Sequence, residues 1–405
     1  MQNGARFQAI LELITQIFTD KQPADKVLNE YLRARKYIGS KDRRFISDWV
    51  WKIIRNRLKL SFDAQSQEPR KILLQATKDC LAEVFDDSKY GLSPLTEDEK
   101  IWLQNDNTDP YPPYVEAECP QWLFAKIKDM ALCKALNQSA AADFRANFIS
   151  REDAINRLAK EGITASAMPY SPMGLRVAER FSLGNCMAYQ EGLIEVQDEA
   201  SQLAALLCDV SPQDKIMDYC CGAGGKSLAL AHLLRNQGHI LAHDINAKRL
   251  EAIKPRMQRL GVKNIETVEI VATTDRDFTR FIIDAPCSGT GTWRRAPDAK
   301  FRLNAAMLRE LTQTQSLLLD IGAEKTQSGG RLIYITCSVL ADEDEEIIDG
   351  FLARNPDFKP VDMRQLWEAK IGSPYPYKTE RYLKMSPLTT NTDGFFIAVL
   401  EKQGK

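Results

Sequence analysis

The spacing of apolar residues changes character along this chain, and each change predicts a different kind of element. From Phe7 to Leu60 apolar side chains recur at three- and four-residue intervals, as in Ile10, Leu13, Ile14 and Ile17, then Phe45, Trp49 and Ile53. That spacing lines one face of an α-helix. Turn chemistry there is limited to Gln22-Pro23 and Gly39-Ser40, so a helical bundle is predicted. An acidic, proline-rich stretch over 86–120 reads as a connecting region. Over 141–193, a strand at 144–149, a helix at 151–161 and then Pro169, Pro172, Gly174 and Gly184 predict a small α/β insert.

Beyond Val196 strand and helix alternate. Helices are predicted at 200–207, 227–235, 248–260, 305–326 and 342–353, with strands at 215–219, 239–243, 281–284 and 331–336. This alternation predicts a doubly wound parallel sheet, whose ligands bind beyond the carboxyl ends of its strands. The predicted division is a helical domain over 1–130, an insert over 131–195 and the sheet domain over 196–405.

At about 150 residues per domain, 405 residues agree with two or three domains. Composition excludes a disordered, collagenous or disulfide-stapled chain, since 44% of residues are hydrophobic and 27% charged. No stretch resembles a membrane span, and Arg6 and Glu12 interrupt the first apolar segment, which reads as a helix and not a signal peptide. Nine scattered cysteines suit a reducing cytoplasm. The 54 basic and 55 acidic residues nearly cancel, so any polyanion site must be local. Residues 31–59 supply the leading candidate, with ten basic side chains, Arg43 and Arg44 among them, against Asp42 and Asp48. The plainer reading of that run is a solvated basic helix face.

The first strand of the alternating region runs into Asp218-Tyr219-Cys220-Cys221-Gly222-Ala223-Gly224-Gly225-Lys226-Ser227, with a helix immediately after. Glycines at such a junction let the backbone approach a ligand. A phosphate-cradling P-loop would need Gly at 220, and a dinucleotide fingerprint would need Gly at 227. Asp244 closes the next strand, where a carboxylate can accept both hydroxyls of a ribose. Together these features indicate an adenosine-type cofactor without a phosphate clamp, which points to S-adenosylmethionine.

Two cysteines fall at predicted carboxyl ends of strands: Cys287 in Asp284-Ala285-Pro286-Cys287-Ser288-Gly289, and Cys337 in Thr336-Cys337-Ser338. Thiols suit methylation at carbon. Pyrimidine C5 is barely nucleophilic until a thiolate adds at C6, after which an acid such as Asp284 can hydrogen-bond the ring nitrogen as charge develops. A second thiol can help remove the C5 proton. Chemistry alone leaves the order of the two thiols open.

With these motifs in place, the chain resembles the RsmB/NOP family of RNA cytosine-C5 methyltransferases, bacterial rRNA branch. The resemblance rests on Val196-Gln197-Asp198-Glu199-Ala200-Ser201, Gly224-Gly225-Lys226, the two cysteine motifs, Arg294-Arg295 with Pro297-Asp298, and Asp393-Gly394-Phe395-Phe396. It implies a Rossmann-like class I methyltransferase preceded by an all-α NusB-like RNA-binding domain and the small insert. It also implies that Cys337 is the nucleophile and that Cys287 assists product release, with Asp284 and Lys226 lining the site. Residues Cys220, Cys221, Gly222, Ala223, Gly224, Gly225, Lys226, Asp244 and Asp284 would hold the cofactor, while Arg294, Arg295, Arg43 and Arg44 would meet RNA phosphate. The expected acceptor is 16S rRNA and the expected state a cytoplasmic monomer without metal or membrane. The same chemistry on tRNA, or a non-catalytic RNA-binding role in ribosome assembly, are the alternatives.

The sequence departs from the family pattern where Ala223 replaces a usual proline and Asp344 a usual asparagine. The adenine-contact segment after Gly261 is short, leaving Asp275 as its candidate acid. His232, His239 and His243 lack the accompanying cysteine or carboxylate pattern of a metal site and are expected to be structural.

Overall fold

The computed structural model describes all residues except 21, 87, 180, 270, 272–276 and 405. The chain divides into two compact units, Met1–Gln138 with Thr292–Asn304, and Ser139–Gly291 with Ala305–Lys405.

The first unit is helical. Its leading helices are α1 (Asn3–Thr19), α2 (Ala24–Ala34), α3 (Ser40–Arg55), α4 (Arg57–Asp63) and α5 (Pro69–Ala76). Phe7, Ile10, Leu13, Ile14 and Ile17 of α1 are buried, as the periodicity predicted; in α3 the buried face is Ile46, Val50, Ile53 and Ile54, with the predicted Phe45 and Trp49 only partly buried beside it. The Phe7 ring meets Phe45 at 5.6 Å and Trp49 at 5.3 Å, both edge-on. That geometry adds about 0.5–1.5 kcal/mol per pair beyond area burial.

Residues Thr292–Asn304 group with these helices although the prediction placed them in the sheet domain. Charged residues hold them there. Lys300 is buried, and its Nζ donates to Glu118 O at 2.6 Å and Asn137 Oδ1 at 2.8 Å. Asp298 Oδ2 accepts the Ala24 N–H at 3.0 Å, satisfying a donor that every helix start leaves open. The helix Met130–Leu136 also lies in this unit, so the division at 138/139 differs from the predicted 130/131.

The second unit contains two sheets. Strands β1 (Ala142–Ala146), β2 (Ala165–Ala167), β3 (Gly174–Val177) and β4 (Ile194–Val196) form a small antiparallel sheet in the order β2-β3-β1-β4. The predicted strand at 144–149 stops at Ala146, and Phe148 turns the chain with a φ of 55°. The large sheet contains β5 (Lys215–Asp218), β6 (His239–Ala242), β7 (Ile265–Thr267), β8 (Phe278–Asp284), β9 (Thr326–Thr336), β10 (Phe358–Pro360), β11 (Leu383–Met385) and β12 (Phe395–Lys402). Its order is β10-β12-β9-β8-β5-β6-β7, with β11 also paired to β12.

Strands β5 to β9 are mutually parallel, and their β8 and β9 residues Phe281–Ile283 and Leu332–Ile335 are buried. Continuous apolar runs are what a parallel strand covered on both faces requires. The predicted doubly wound parallel sheet is present, with one strand reversed: β12 runs antiparallel to both β9 and β10. Phe396 pairs with Thr336, so β12 starts at the edge where β9 ends. That direction brings Asp393 and Gly394 to the ligand edge. The predicted helix at 248–260 is two helices, Ala247–Glu251 and Ile253–Leu260, because Pro255 cannot donate to the turn before it. Among the described residues no helix is long and apolar enough to cross a membrane.

Candidate functional site

Strands β5 and β8 are neighbours, and from β5 the chain moves outward through β6 and β7 before returning to β8. This reversal opens a crevice at the carboxyl edge. The turn after β5 occupies it. Gly222 and Gly224 have φ of 56° and 80°, a region that side-chain-bearing residues avoid. A Cβ on Gly224 would lie 2.2 Å from Ile253 Cδ1, whereas the space over Gly222 and Gly225 is open. These open glycines at the start of the Gly225–Leu233 helix fit a cofactor that lies against the backbone.

Asp244 is tied to the same turn. Its Oδ2 accepts the Gly222 N–H at 2.9 Å and its Oδ1 the Asn246 N–H at 2.7 Å, which leaves each oxygen a lone pair for a ribose hydroxyl. Asp218 is buried and takes the Ser227 hydroxyl at 2.5 Å; burial pushes its carboxyl up to about 7. Burial also raises the thiols of Cys220 and Cys221, which suits wall residues more than nucleophiles. The Ala223 carbonyl accepts a hydrogen bond from Arg256.

The cysteines end neighbouring strands, Cys287 three residues past β8 and Cys337 directly after β9, and their sulfurs lie 3.4 Å apart. Lys226 Nζ is 2.7 Å from Asp284 Oδ2 and sits 5.1 Å from the centre of the Phe395 ring. Burial disfavours the Lys226 charge, but Asp284, then Cys337 and Asp218, outweigh it and raise its pKa. The Cys287 thiol is raised well above its ordinary value by its hydrogen bond to Cys337, by burial, and by the Cys337 and Glu343 charges. A backbone knot closes the site: Gly291 N donates to Cys337 O at 3.0 Å, and Gly394 N to Gly291 O at 2.8 Å.

The structure therefore brings Lys226, Asp284, Cys287 and Cys337 together, with the glycine turn and Asp244 forming the adjoining wall. The arginine candidates lie in the helical unit. Arg294 is buried there and its carbonyl accepts from Arg55 at 2.7 Å. Arg295 is exposed. Arg43 turns its Nε to Ile38 O at 2.8 Å, whereas the Arg44 side chain is 77% exposed, 3.8 Å from Asp48. Asp275 lies outside the described residues. His232 accepts the Phe148 N–H at 2.9 Å and is pushed down to about 3 by burial. His239 pairs with Glu266 at 3.0 Å and His243 bonds Val268 O at 2.9 Å.

Sequence reasoning missed Glu343, Gln315 and Lys384. Glu343 is wholly buried behind both cysteine turns, while Lys384 sits 3.1 Å from the equally buried Asp344. The run Asp342 to Glu346 signalled acid at this place, but five consecutive acids do not reveal which ones face inward.

A family model described as 16S rRNA methyltransferase RsmB/F matches residues 205–401. Ribosomal RNA small subunit methyltransferase B of Pseudomonas putida is 35% identical over 280 residues, 65% of this chain and 63% of that protein. The protein of the same name from Pseudomonas syringae is 32% identical over 308 residues, 72% of this chain and 67% of the relative. The chain thus spans 63% to 67% of the length of these relatives. The crystal structure of PH0851 aligns with 99% of each chain at a TM-score of 0.75 and 22% identity, a likeness of fold. Fold and sequence agree, and the chain belongs to the RsmB/F family of methyltransferases.

Proposed function

We propose that this protein methylates C5 of cytidine in RNA, with 16S rRNA the favoured acceptor, through a covalent bond between Cys337 and C6. One observation carries the reading: two thiols 3.4 Å apart at neighbouring strand ends, beside a buried Lys226 paired with a partly exposed Asp284 that adjoins the glycine turn. Methylating an exocyclic amine needs no thiol.

The electrostatics support an order for the two cysteines. Lys226 is the cation that couples to Cys337, while the hydrogen bond to Cys337, burial and then the Cys337 and Glu343 charges raise the Cys287 thiol, which keeps its proton. Cys337 Sγ forms the bond to C6 and drives the C5=C6 pair toward C5 and the ring nitrogen. A proton shared across the 2.7 Å Lys226–Asp284 pair moves through Asp284 to that nitrogen as charge develops and returns when the double bond is restored. Residues 220–226 and Asp244 would hold S-adenosylmethionine, whose sulfonium would supply the methyl group that C5 takes up. The C5–H electron pair then restores the double bond as the Sγ–C6 bond breaks; the C5 proton goes to the Cys287 sulfur as the proton of Cys287 passes to the departing Cys337 sulfur 3.4 Å away. Cys287 sits next to that leaving sulfur and assists this last step. Because C6 is inaccessible within stacked bases, the target nucleotide must be turned out of its stack.

Wild type, Cys337→Ala and Cys287→Ala proteins incubated with labelled S-adenosylmethionine and RNA, then run on denaturing gels, test the reading. Cys337→Ala should lose methyl transfer and Cys287→Ala should accumulate a protein–RNA adduct. Full activity in Cys337→Ala would refute it. Purified 16S rRNA fragments and tRNA compared as acceptors decide the substrate. RNA binding without methyl transfer by wild type would favour the ribosome-assembly role.

A further inference from the structure

Each site cysteine is followed by a serine, Ser288 after Cys287 and Ser338 after Cys337. Both hydroxyls donate to the same carboxylate oxygen, Glu343 Oε2, with Ser338 Oγ at 2.6 Å. The other oxygen, Oε1, accepts Ser288 N at 2.8 Å and Gln315 Nε2 at 3.1 Å. Gln315 is itself buried and also bonds Pro286 O at 2.9 Å, directly before Cys287. Thr290 closes the ring, its Oγ1 lying 3.0 Å from Ser338 Oγ and accepting Val339 N at 3.0 Å. Glu343 is held in turn by its own carbonyl, which accepts the Tyr334 hydroxyl at 2.7 Å.

A carboxylate this deep loses its hydration, a cost that hydrogen bonds only partly return. An apolar residue would fill the space more cheaply. What the carboxylate does that an apolar side chain cannot is grip two turns that follow different strands. From this geometry we propose that Glu343 is a positioning residue that sets Cys287 and Cys337 in register through the serine after each. The consequence for catalysis rests on the proposed reaction, in which one sulfur must leave beside the other.

The register is measurable without RNA or cofactor. Diamide accepts two electrons and two protons as two neighbouring thiols close to a disulfide, and closure requires the sulfurs to meet in restricted geometry. Peptide mapping of the full chain follows the Cys287–Cys337 bond with time. In Glu343→Ala closure should slow at least about tenfold, in line with the cost of a misplacement near 1 Å. Removing a negative charge favours thiolate, so slower closure reports geometry and not acidity. Glu343→Gln should stay within about threefold of wild type, because its carbonyl can keep Ser288 N and Gln315 while its amide donates to both serine oxygens.

If Glu343→Ala fails to fold, as circular dichroism will show, Ser288→Ala and Ser338→Ala each cut one tether and should slow closure about three- to tenfold. In the methylation assay the same variants should lose kcat while KM for RNA stays within about threefold. Closure at the wild-type rate in Glu343→Ala, or in both serine variants, overturns the proposal. Slowed closure with no methyl transfer by wild type upholds the positioning role and refutes the proposed reaction alone.

Discussion

Asp344 stands where the resemblance led us to expect asparagine, and the structure predicts what that carboxyl costs. The side chain is fully buried, its Oδ1 taking the Thr336 hydroxyl at 2.6 Å and its Oδ2 facing Lys384 Nζ at 3.1 Å. Burial dominates over Lys384 and Thr336 and pushes the carboxyl from 3.8 up to about 7. An acid whose folded pKa is raised gives stability that is present below its unfolded pKa and lost as pH rises through the folded value. For 3.8 rising to about 7, the full loss is ~4 kcal/mol, of which about 2–3 kcal/mol falls between pH 5 and pH 8.

Asp344→Asn removes that titration and keeps the acceptor for Thr336. Its amide faces the Lys384 ammonium at a cost of about 1–2 kcal/mol, but this cost is the same at both pH values and cancels in their difference. Urea unfolding of wild type and variant at pH 5 and pH 8, with hydrogen exchange over β9 locating the transition, reads the quantity directly. The stability of Asp344→Asn relative to wild type should improve by about 2–3 kcal/mol from pH 5 to pH 8. An equal difference at the two pH values, or a change of opposite sign, would refute the assignment of a buried, raised Asp344.

Gly291→Ala puts a Cβ 2.0 Å from Gly394 O, so the knot beside Cys337 must open; a stability loss of about 1–3 kcal/mol and strongly reduced methyl transfer are expected. Normal activity would show that the contact is dispensable. Lys226→Met leaves Asp284 without its cation, and kcat should fall about a hundredfold or more while RNA affinity holds; single-turnover assays would reveal otherwise. Arg44→Ala removes an exposed charge of the helical unit, and a plot of log RNA affinity against log salt should flatten by about one phosphate contact. An unchanged slope would return that run to a solvated helix face.

The helical unit was legible because α1 and α3 bury the residues that recur every three or four positions. The glycine turn and the two cysteine turns were legible because their residue types are rare in combination and fall at strand ends. Nothing in the sequence set Arg294, Asp298 and Lys300 apart from the sheet domain, for a physical reason. The partner of Arg294 O is Arg55, 239 residues away in sequence, and Lys300 reaches Glu118 across 182 residues. A buried charge looks exposed in sequence until its distant partner is known.

Local patterns therefore determined the elements, the adenosine-type turn and the presence of two chemically competent thiols, since each depends on neighbours within a few residues. The placement of β12 between β9 and β10, running against both, came only from tertiary structure, because strand direction and order depend on which edges remain to be covered. So did the 3.4 Å between the sulfurs, the charge that each thiol faces and the single carboxylate behind both turns. Those are distances across strands, and a distance across strands has no local signature.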